Sequence, residues 1–392
     1  MRILWVSVSP LRGSSFSVVT DNILKRLGLR HEVYCLGLDY YGTPLQMENY
    51  TLAQFTDFRQ LEDYVQTLKP DVTVVYHAPL FLSRINPHLD KVKASSKLVL
   101  YVPIEGYPLT VDTSFFEKAD LILVPSKFSQ ECLAKEGFKG EILPHGVDSE
   151  IFKPLKPLEE KYTEANPFKF GTVASMVLRK MITCIVDAYA TALSRGMKNT
   201  EYYLTASTYD ATPWDADVNI YARKMGVPIK ISRTAFLNLP VTHQTIASFY
   251  NQLHVHVLTA SESFGLIHLE AMSCGTVPLT IKYGGALETV GDCGIYVSPK
   301  AFIATSMGRF AIPDIEELAE KMVWTSQNPE ALLRLATKGV EKAKMFNWKN
   351  VVEKFENILR RLGGNPESEE VARMVEKWWV ARRRSAEAKL IG

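Results

Sequence analysis

The chain has 392 residues, of which 46% are apolar and 22% charged, and 45 basic residues nearly balance 43 acidic ones. This composition excludes a disordered or collagen-like chain, and the formal net charge of +2 provides no global field that would attract nucleic acid, although it does not exclude a local nucleic-acid site. At about 150 residues per domain, the length predicts two domains, each with its own core.

Cysteine usage and hydropathy place the chain in a reducing compartment. The five cysteines are scattered and form no C-x-x-C pair, which is typical of free thiols in the cytosol. No apolar run reaches the length that spans a bilayer, and Pro10 interrupts the apolar opening segment. We therefore expect a cytoplasmic chain whose first residues form a buried strand.

The first half of the chain alternates short β-rich apolar runs with stretches of helical spacing. One such stretch, from Leu52 to Leu68, repeats apolar residues at a period close to 3.6 and predicts a helix. This alternation predicts a parallel sheet with crossover helices. The predicted strands are residues 2–8, 31–36, 72–76, 98–102, 121–124 and 142–143.

A charged, proline-rich segment after Phe152 marks a domain boundary, because it is a poor core former. The alternation then resumes, which predicts two doubly wound Rossmann-like domains over residues 1–155 and 165–345. Ligands bind at the carboxyl ends of the strands in such sheets, so we expect the site in the cleft between the domains. The predicted strands of the second domain are 168–174, 202–206, 229–232, 255–258, 277–281 and 295–297.

From Pro313 onward the pattern is helical only, with Asn347 as the N-cap of a helix over 346–362. The last segment, 363–392, is predicted to form a tail helix of unknown role. Two interpretations of this tail remain: a packed terminal helix, which we favour, and a weak amphipathic contact at the inner membrane face. The second rests on two tryptophans beside three arginines (Trp378, Trp379, Arg382, Arg383 and Arg384).

The most informative segment is VHVLTASESFGLIHLEAMSCGTVPLT, residues 255–280. It predicts a buried strand, a polar turn and a helix that starts near Phe264, whose first N–H groups and dipole favour an anion. Glu262 precedes this helix and Glu270 lies about 9 Å along it, at about 1.5 Å per residue. This spacing suits a diphosphate flanked by two hydroxyl-bearing groups.

Glu262 to Pro278 resembles the E-x7-E signature of retaining GT-B-fold glycosyltransferases, the glycogen-synthase-like and mannosyltransferase-like group. Segments similar to other parts of that family follow in the same order, at residues 119–133, 143–154 and 346–359. The resemblance implies an α/β protein of GT-B fold, with two Rossmann-like domains facing across a cleft. It also implies that the helix over 346–362 crosses back to the N-terminal domain.

The resemblance assigns roles to the donor-binding segment. Glu262 would contact the hydroxyls of the donor sugar, and Glu270 would bind the ribose. The backbone N–H groups of Gly265 and Leu266 would hold the diphosphate, and the same turn adds Ser263 and Phe264 as donor-binding candidates.

Three further segments match the family in part. Lys180 matches its diphosphate-binding Lys, but the common Arg is replaced by Ser175 and the common Gly by Met181, so phosphate neutralisation is assigned to Lys180 with Arg179. A His that many members carry after the fourth strand is replaced by Glu105, a catalytic candidate. The candidates in the loop after the first strand are Gly13 and Ser14, for which a plain turn remains the alternative.

Three other patterns resemble functional sites without strong support. The pair Asp215 and Asp217 copies a metal-binding D-x-D, but a helix start explains it better. A zinc site at His254 and His256 lacks a third ligand at a telling spacing, so packing is favoured. His77, after the third strand, is a site candidate or a core histidine.

These features predict a retaining, metal-independent hexosyltransferase that moves a sugar from a UDP-, GDP- or ADP-linked donor to a hydroxyl acceptor. We expect no cofactor and no metal, and the acceptor could be a glycan, a lipid-linked sugar or a small hydroxyl compound. The departures at Ser175 and Glu105 keep open a non-catalytic nucleotide-sugar-binding homologue. A nucleotide-sugar epimerase or a phosphorylase of the same architecture is a further alternative, although no segment identifies a pyridoxal-binding Lys.

Overall fold

The structure is a computed structural model that describes residues 1–163, 166–207, 215–231 and 242–363. The described residues form two open α/β sheets and one β-hairpin. This is the doubly wound architecture that the alternation of strands and helices predicts.

The described N-terminal residues form an eight-stranded sheet in the order β3-β4-β2-β1-β5-β6-β7-β8, parallel except for the antiparallel pair β3 and β4. Its central strands are almost fully buried because helices cover both faces. The strands are Arg2–Val8 (β1), Glu32–Leu38 (β2), Leu45–Gln46 (β3), Thr51–Phe55 (β4), Val72–Tyr76 (β5), Lys97–Tyr101 (β6), Leu121–Val124 (β7) and Glu141–Ile142 (β8).

The single helix expected from Leu52 to Leu68 is wrong. Thr51–Phe55 pairs with β2 as a parallel strand, and only Gln60–Leu68 is helical. The Gln60 side chain accepts hydrogen bonds from the backbone N–H groups of Thr56 and Asp57, which separates the strand from the helix. The N-terminal helices are Ser15–Leu27 (α1), Gln60–Leu68 (α2), Pro79–Ser95 (α3), Phe115–Lys118 (α4) and Lys127–Lys135 (α5).

The described part of the C-terminal region contains a six-stranded parallel sheet in the order β11-β10-β9-β12-β13-β14. The strands are Phe168–Ser175 (β9), Thr200–Ser207 (β10), Ile229–Ile231 (β11), Val255–Leu258 (β12), Val277–Ile281 (β13) and Ile295–Val297 (β14). The helices around it are Leu158–Thr163 (α6), Ile182–Ser194 (α7), Val218–Lys224 (α8), His243–Gln252 (α9), Leu266–Ser273 (α10) and Ala286–Val290 (α11).

An antiparallel hairpin, Pro299–Thr305 (β15) and Gly308–Pro313 (β16), follows the C-terminal sheet. Three helices then complete the described chain: Ile315–Gln327 (α12), Pro329–Ala343 (α13) and Trp348–Gly363 (α14). The described residues contain no helix that is long and apolar enough to cross a membrane. Most of the predicted tail helix over 363–392 lies outside the described residues.

Two chain segments cross between the sheets, and they contact each other. Val147 donates its backbone N–H to the carbonyl of Phe346 at 2.7 Å. Asn347 then caps α14 by accepting from the N–H of Asn350 at 2.9 Å. This amphipathic helix packs against α1, and Phe355 lies edge-on to Trp5 of β1. The C-terminal helix therefore belongs to the core beneath the N-terminal sheet.

Candidate functional site

The turn after β9 places two adjacent cations at the carboxyl edge of the C-terminal sheet. Leu178–Lys180 forms a single 3-10 turn, after which Met181 is the N-cap residue of α7. Met181 has a φ of 52°, a left-handed conformation that favours glycine, at the position where the resembling family commonly has Gly. The turn directs Arg179 and Lys180 to the same side, and Lys180 is only 8% exposed.

Glu262 lies in the loop between β12 and α10, and its carboxylate forms an ion pair with the ammonium of Lys180. Burial favours the neutral acid, but the charges of Lys180 and Arg179 outweigh it and hold the pKa of Glu262 below its usual range. The carbonyl of Glu262 also accepts from the N–H of Gly285 at 2.7 Å, which fixes the loop. We therefore expect an ionised, buried carboxylate at this position.

Glu105 reaches the same place from the N-terminal sheet, in the loop after β6. Its Oε1 accepts a hydrogen bond from Nη1 of Arg179 at 3.3 Å. Its Oε2 is buried and has no hydrogen-bond partner among the described residues. Burial raises the pKa of Glu105, with the negative charge of Glu262 adding to the effect and Arg179 and Lys180 opposing it.

Four predicted site residues thus come together from three loops and both sheets. Arg179 holds Glu105 while its neighbour Lys180 holds Glu262. The pKa values of the two carboxyl groups are shifted in opposite directions: Glu262 is directly paired with the buried ammonium, whereas Glu105 is buried with one unpartnered oxygen. Pairs of titratable groups whose pKa values are pushed apart are common in active sites.

Helix α10 starts at Leu266, two residues later than the sequence predicts. Gly265 has a φ of 90°, and a side chain there would also meet Ala286 at 3.3 Å. The ring of Phe264 turns away and packs on His145 and Phe346, with centroids 4.9 and 5.8 Å apart. Phe264 therefore fills the contact between the domains, and a ligand at this end of α10 would meet the backbone around Gly265 and Leu266.

At Ser263, the loop before α10 contributes its backbone carbonyl to the domain contact. The carbonyl of Ser263 accepts from the hydroxyl of Ser126 at 2.5 Å. Across the same contact, the Glu288 carboxylate accepts from the N–H groups of Lys127 and Phe128 at 2.9 and 2.6 Å. Glu288 of one domain thus caps α5 of the other, an interaction that no pattern in the sequence predicted.

Glu270 lies on α10 and is 7% exposed. Burial raises its pKa to about 8, although the hydroxyl of Tyr250 acts in the opposite direction. A buried carboxyl that gives up its proton near neutral pH can accept hydrogen bonds from a diol that enters its pocket. The predicted ribose contact of Glu270 stays a prediction.

The loop after β1 shows a structural role for one of its two candidates. The hydroxyl of Ser14 accepts from the N–H of Ser17 at 3.1 Å and caps α1. A side chain at Gly13 would meet no atom within 4 Å, so this turn is open. The predicted donor contacts of both residues remain untested.

The remaining patterns have structural explanations. Asp217 caps α8 by accepting from two backbone N–H groups, and Asp215 accepts from the N–H of Leu178. His254 bridges the backbones of Lys169 and Lys161, and His256 is fully buried. His77 is stacked between two phenylalanine rings, Phe16 and Phe81, with centroids 4.9 and 4.1 Å away.

The hairpin β15 and β16 was not predicted, although it borders the site. Ser261, next to Glu262, accepts through its hydroxyl from the N–H of Ala311 at 2.9 Å. The short apolar run FAI, near the end of β16, and the turn residues around Gly308 were the available signals.

Comparison with protein families identifies residues 230–342 as a match to Glycosyl transferases group 1. Glu262 and Glu270 lie inside this range. A curated relative, the D-inositol 3-phosphate glycosyltransferase of Acidothermus cellulolyticus, is 24% identical over 230 residues. The match covers 56% of this chain and 47% of that protein, so the chain spans about half the length of the curated relative it matches.

Solved structures match nearly the whole chain. Sucrose-phosphate synthase from Thermosynechococcus elongatus has a TM-score of 0.74 at 15% identity, covering 92% of this chain and 99% of that structure. HepE from Anabaena, in complex with UDP-glucose, has a TM-score of 0.69 at 16% identity, covering 92% and 100%. The fold that the resemblance implies is confirmed: the chain has the GT-B fold of two Rossmann-like domains, and its residues 230–342 match Glycosyl transferases group 1.

Proposed function

We propose that the chain is a glycosyltransferase that transfers a sugar from a nucleoside-diphosphate sugar to a hydroxyl acceptor with retention of configuration. The observation that carries this proposal is the convergence of Glu105, Arg179, Lys180 and Glu262 beside the start of α10. Two cations and a helix N-terminus match the charge of a diphosphate, and two carboxyl groups match sugar hydroxyls.

Donor binding would exchange the internal ion pairs for contacts with the substrate. A diphosphate ester carries about two negative charges, so it can compete with the carboxylates for Arg179 and Lys180. Lys180 would then bind the phosphates together with the N–H groups at the start of α10. Release of Glu262 from Lys180 would leave an anionic acceptor for hydroxyl groups of the sugar.

The two carboxyl groups would have different roles because their pKa values are shifted in opposite directions. Glu262, with its lowered pKa, would accept hydrogen bonds from the sugar. Glu105, whose pKa is raised by burial, would be the carboxyl group that can donate to a sugar or acceptor oxygen through Oε2. Its position replaces the His found in many members of the resembling family.

In the proposed reaction, the bond between the anomeric carbon and the diphosphate oxygen breaks and the bond to the acceptor oxygen forms on the same face. The acceptor proton passes to the departing diphosphate, so the step needs no protein nucleophile. Arg179, Lys180 and the N-terminus of α10 stabilise the charge that develops on the leaving group, which makes the proposed reaction metal-independent. The facing domains would exclude water from the reacting carbon.

UDP-glucose is the first donor to test, because HepE from Anabaena was solved in complex with it. A trehalose-6-phosphate structure from E. coli that has the same fold is described as bound with UDP-2-fluoro glucose. GDP- and ADP-linked sugars complete the panel. The acceptor remains one of the three classes named above, and a cytoplasmic location remains a proposal.

The test combines binding and turnover in the full chain. We expect one donor of the UDP-, GDP- and ADP-sugar panel to raise the melting temperature, and we expect its slow hydrolysis to continue in excess EDTA. Proton NMR of the first sugar released should show the same anomer as the donor. Binding without any bond cleavage would support the non-catalytic alternative, and inversion or loss of activity in EDTA would overturn the mechanism.

A further inference from the structure

The hairpin of β15 and β16 lies where the two domains meet. Thr110, from the loop after β6, donates its hydroxyl to the carbonyl of Thr305 on the hairpin at 2.9 Å. A side chain at Gly106 would lie 2.5 Å from the carbonyl oxygen of Arg309. The hairpin therefore touches the N-terminal loop that carries Glu105.

The same hairpin is attached to the C-terminal loop that carries Glu262. The N–H of Ala311 donates to Ser261, the residue before Glu262, at 2.9 Å. In the neighbouring loop after β13, the hydroxyl of Tyr283 donates to the carbonyl of Arg309 at 3.2 Å. One strand of the hairpin, β16, thus contacts both loops within four residues, from Gly308 to Ala311.

We propose that this hairpin is a positioning element that sets the distance between Glu105 and Glu262 across the cleft. The inference rests on the proposed function for its catalytic consequence, but the mechanical link is a property of the fold alone. Gly308 and Ser261 are its positioning residues: Gly308 allows the close approach to Gly106, and Ser261 ties β16 to the Glu262 loop.

The close approach requires glycine on both sides. Gly308 has a φ of 111°, and a side chain there would lie 2.3 Å from the carbonyl carbon of Gly106. The backbone of Gly106 cannot move aside as easily as the end of a flexible side chain could. A methyl group at position 308 would therefore push the hairpin away from the Glu105 loop.

Gly308→Ala is the first test, with Gly196→Ala as its matched control. Both glycines have a positive φ, but a side chain at Gly196 would meet no atom within 4 Å. The control therefore carries the backbone strain without the displacement. Hydrogen exchange of the full chain should speed up over residues 105–110 and 259–263 in Gly308→Ala and stay at the wild-type rate there in Gly196→Ala.

The catalytic consequence is measured with UDP-glucose, or with the panel member that the wild type hydrolyses. Misplacement of a catalytic group by about 1 Å costs up to about a hundredfold, so kcat should fall about tenfold or more in Gly308→Ala. The dissociation constant for the nucleoside diphosphate should not change. The effects of Gly308→Ala and Glu105→Ala on kcat should be less than additive, because Glu105→Ala removes the carboxyl group that Gly308→Ala misplaces.

Thr110→Val covers the case in which Gly308→Ala does not fold, because it removes one exposed hydroxyl without changing the side-chain shape. Thr337→Val, an exposed helical threonine that donates to its own helix, is the control. Faster exchange at 105–110 in Thr110→Val alone supports the proposal. Unchanged exchange in both Gly308→Ala and Thr110→Val overturns the proposed positioning role of the hairpin, whatever the donor experiments show. Changed exchange with wild-type kcat overturns the positioning role while leaving the proposed function intact.

Discussion

The two carboxyl groups of the site face the same pair of cations, yet their pKa values move in opposite directions. Glu262, from the C-terminal domain, is paired with the buried Lys180 and its pKa is lowered. Glu105, from the N-terminal domain, is held by the half-buried Arg179 and its pKa is raised. A nearby guanidinium does not by itself lower the pKa of a carboxyl group when burial is deep and one oxygen lacks a partner. The C-terminal domain thus supplies the fixed charges and the N-terminal domain supplies a group that can be neutral.

Glu262→Gln should have the largest effect, because it removes the carboxylate that pairs with Lys180 and that distinguishes Glu262 from Glu105. The amide keeps the shape but leaves Lys180 without its buried partner and weakens the contacts with sugar hydroxyls. We expect kcat for donor hydrolysis to fall by about 10²- to 10³-fold, the scale of one lost electrostatic contact in a transition state. Near-wild-type turnover would remove Glu262 from the mechanism. Glu316→Gln, which breaks an exposed ion pair with Arg195, controls for the loss of a paired charge outside the site.

Lys180→Ala and Arg179→Ala test whether the two cations are equivalent. The Lys180 side chain is 10% exposed and that of Arg179 is 34%, so solvent screens Arg179 more. Loss of a charge-assisted hydrogen bond costs about 1.5 to 3 kcal/mol, so Lys180→Ala should weaken binding of the nucleoside diphosphate by about tenfold to a hundredfold. Calorimetric titration should show a smaller loss for Arg179→Ala. An equal loss in both variants would contradict the assignment of distinct roles.

Much of the fold could be predicted because parallel strands are continuous apolar runs bounded by turn residues. The predicted bounds of β5, β7, β12, β13 and β14 agree with the structure. Leu52 to Leu68 failed because the alternation of a half-buried strand, β4, happens to continue into the stripe of α2. Local periodicity cannot show where β4 ends and α2 begins, since this boundary depends on the pairing of β4 with β2 and on the side chain of Gln60.

The candidate site was predictable residue by residue but not in its pairing. Spacing within one segment relates Glu262 to α10, whereas its contact with Lys180 joins residues 82 positions apart. The direction of Phe264 depends on His145 and Phe346, which belong to the two crossing segments. Such contacts arise from domain packing, which leaves no periodic signal in the sequence.

Glu105→Gln should have a milder effect than Glu262→Gln, although both variants replace a carboxyl group by an amide. An amide resembles the protonated carboxyl that the raised pKa favours, so we expect kcat at pH 6 to fall no more than about fivefold, or 1 kcal/mol. The wild-type rate should decline as pH rises and Glu105 loses its proton, and the variant should lack this decline. A pH–rate profile compares the two. A loss as large as that of Glu262→Gln would show that Glu105 acts as an anion.

Lys161→Met should leave turnover unchanged, because this second buried lysine lies away from the charged site and contacts Thr276 and the carbonyl of Cys274. Lys161 lacks a carboxylate partner among the described residues, and burial lowers its pKa to about 7. The pKa of a lysine in the unfolded chain is about 10.4. Between pH 7 and that value the unfolded chain therefore binds more protons than the folded chain, so the stability of the wild type should rise with pH across this range.

The uncharged side chain removes this cost of burial. At pH 6.5 the unfolding free energy of Lys161→Met should exceed that of the wild type by at least about 1.4 kcal/mol, the equivalent of one pKa unit, and the advantage should shrink towards pH 10. Denaturant titrations at the two pH values measure it, with the exposed Lys198→Met as control. Equal stability at pH 6.5 would mean that the buried ammonium is as well compensated by Thr276 as Lys180 is by Glu262.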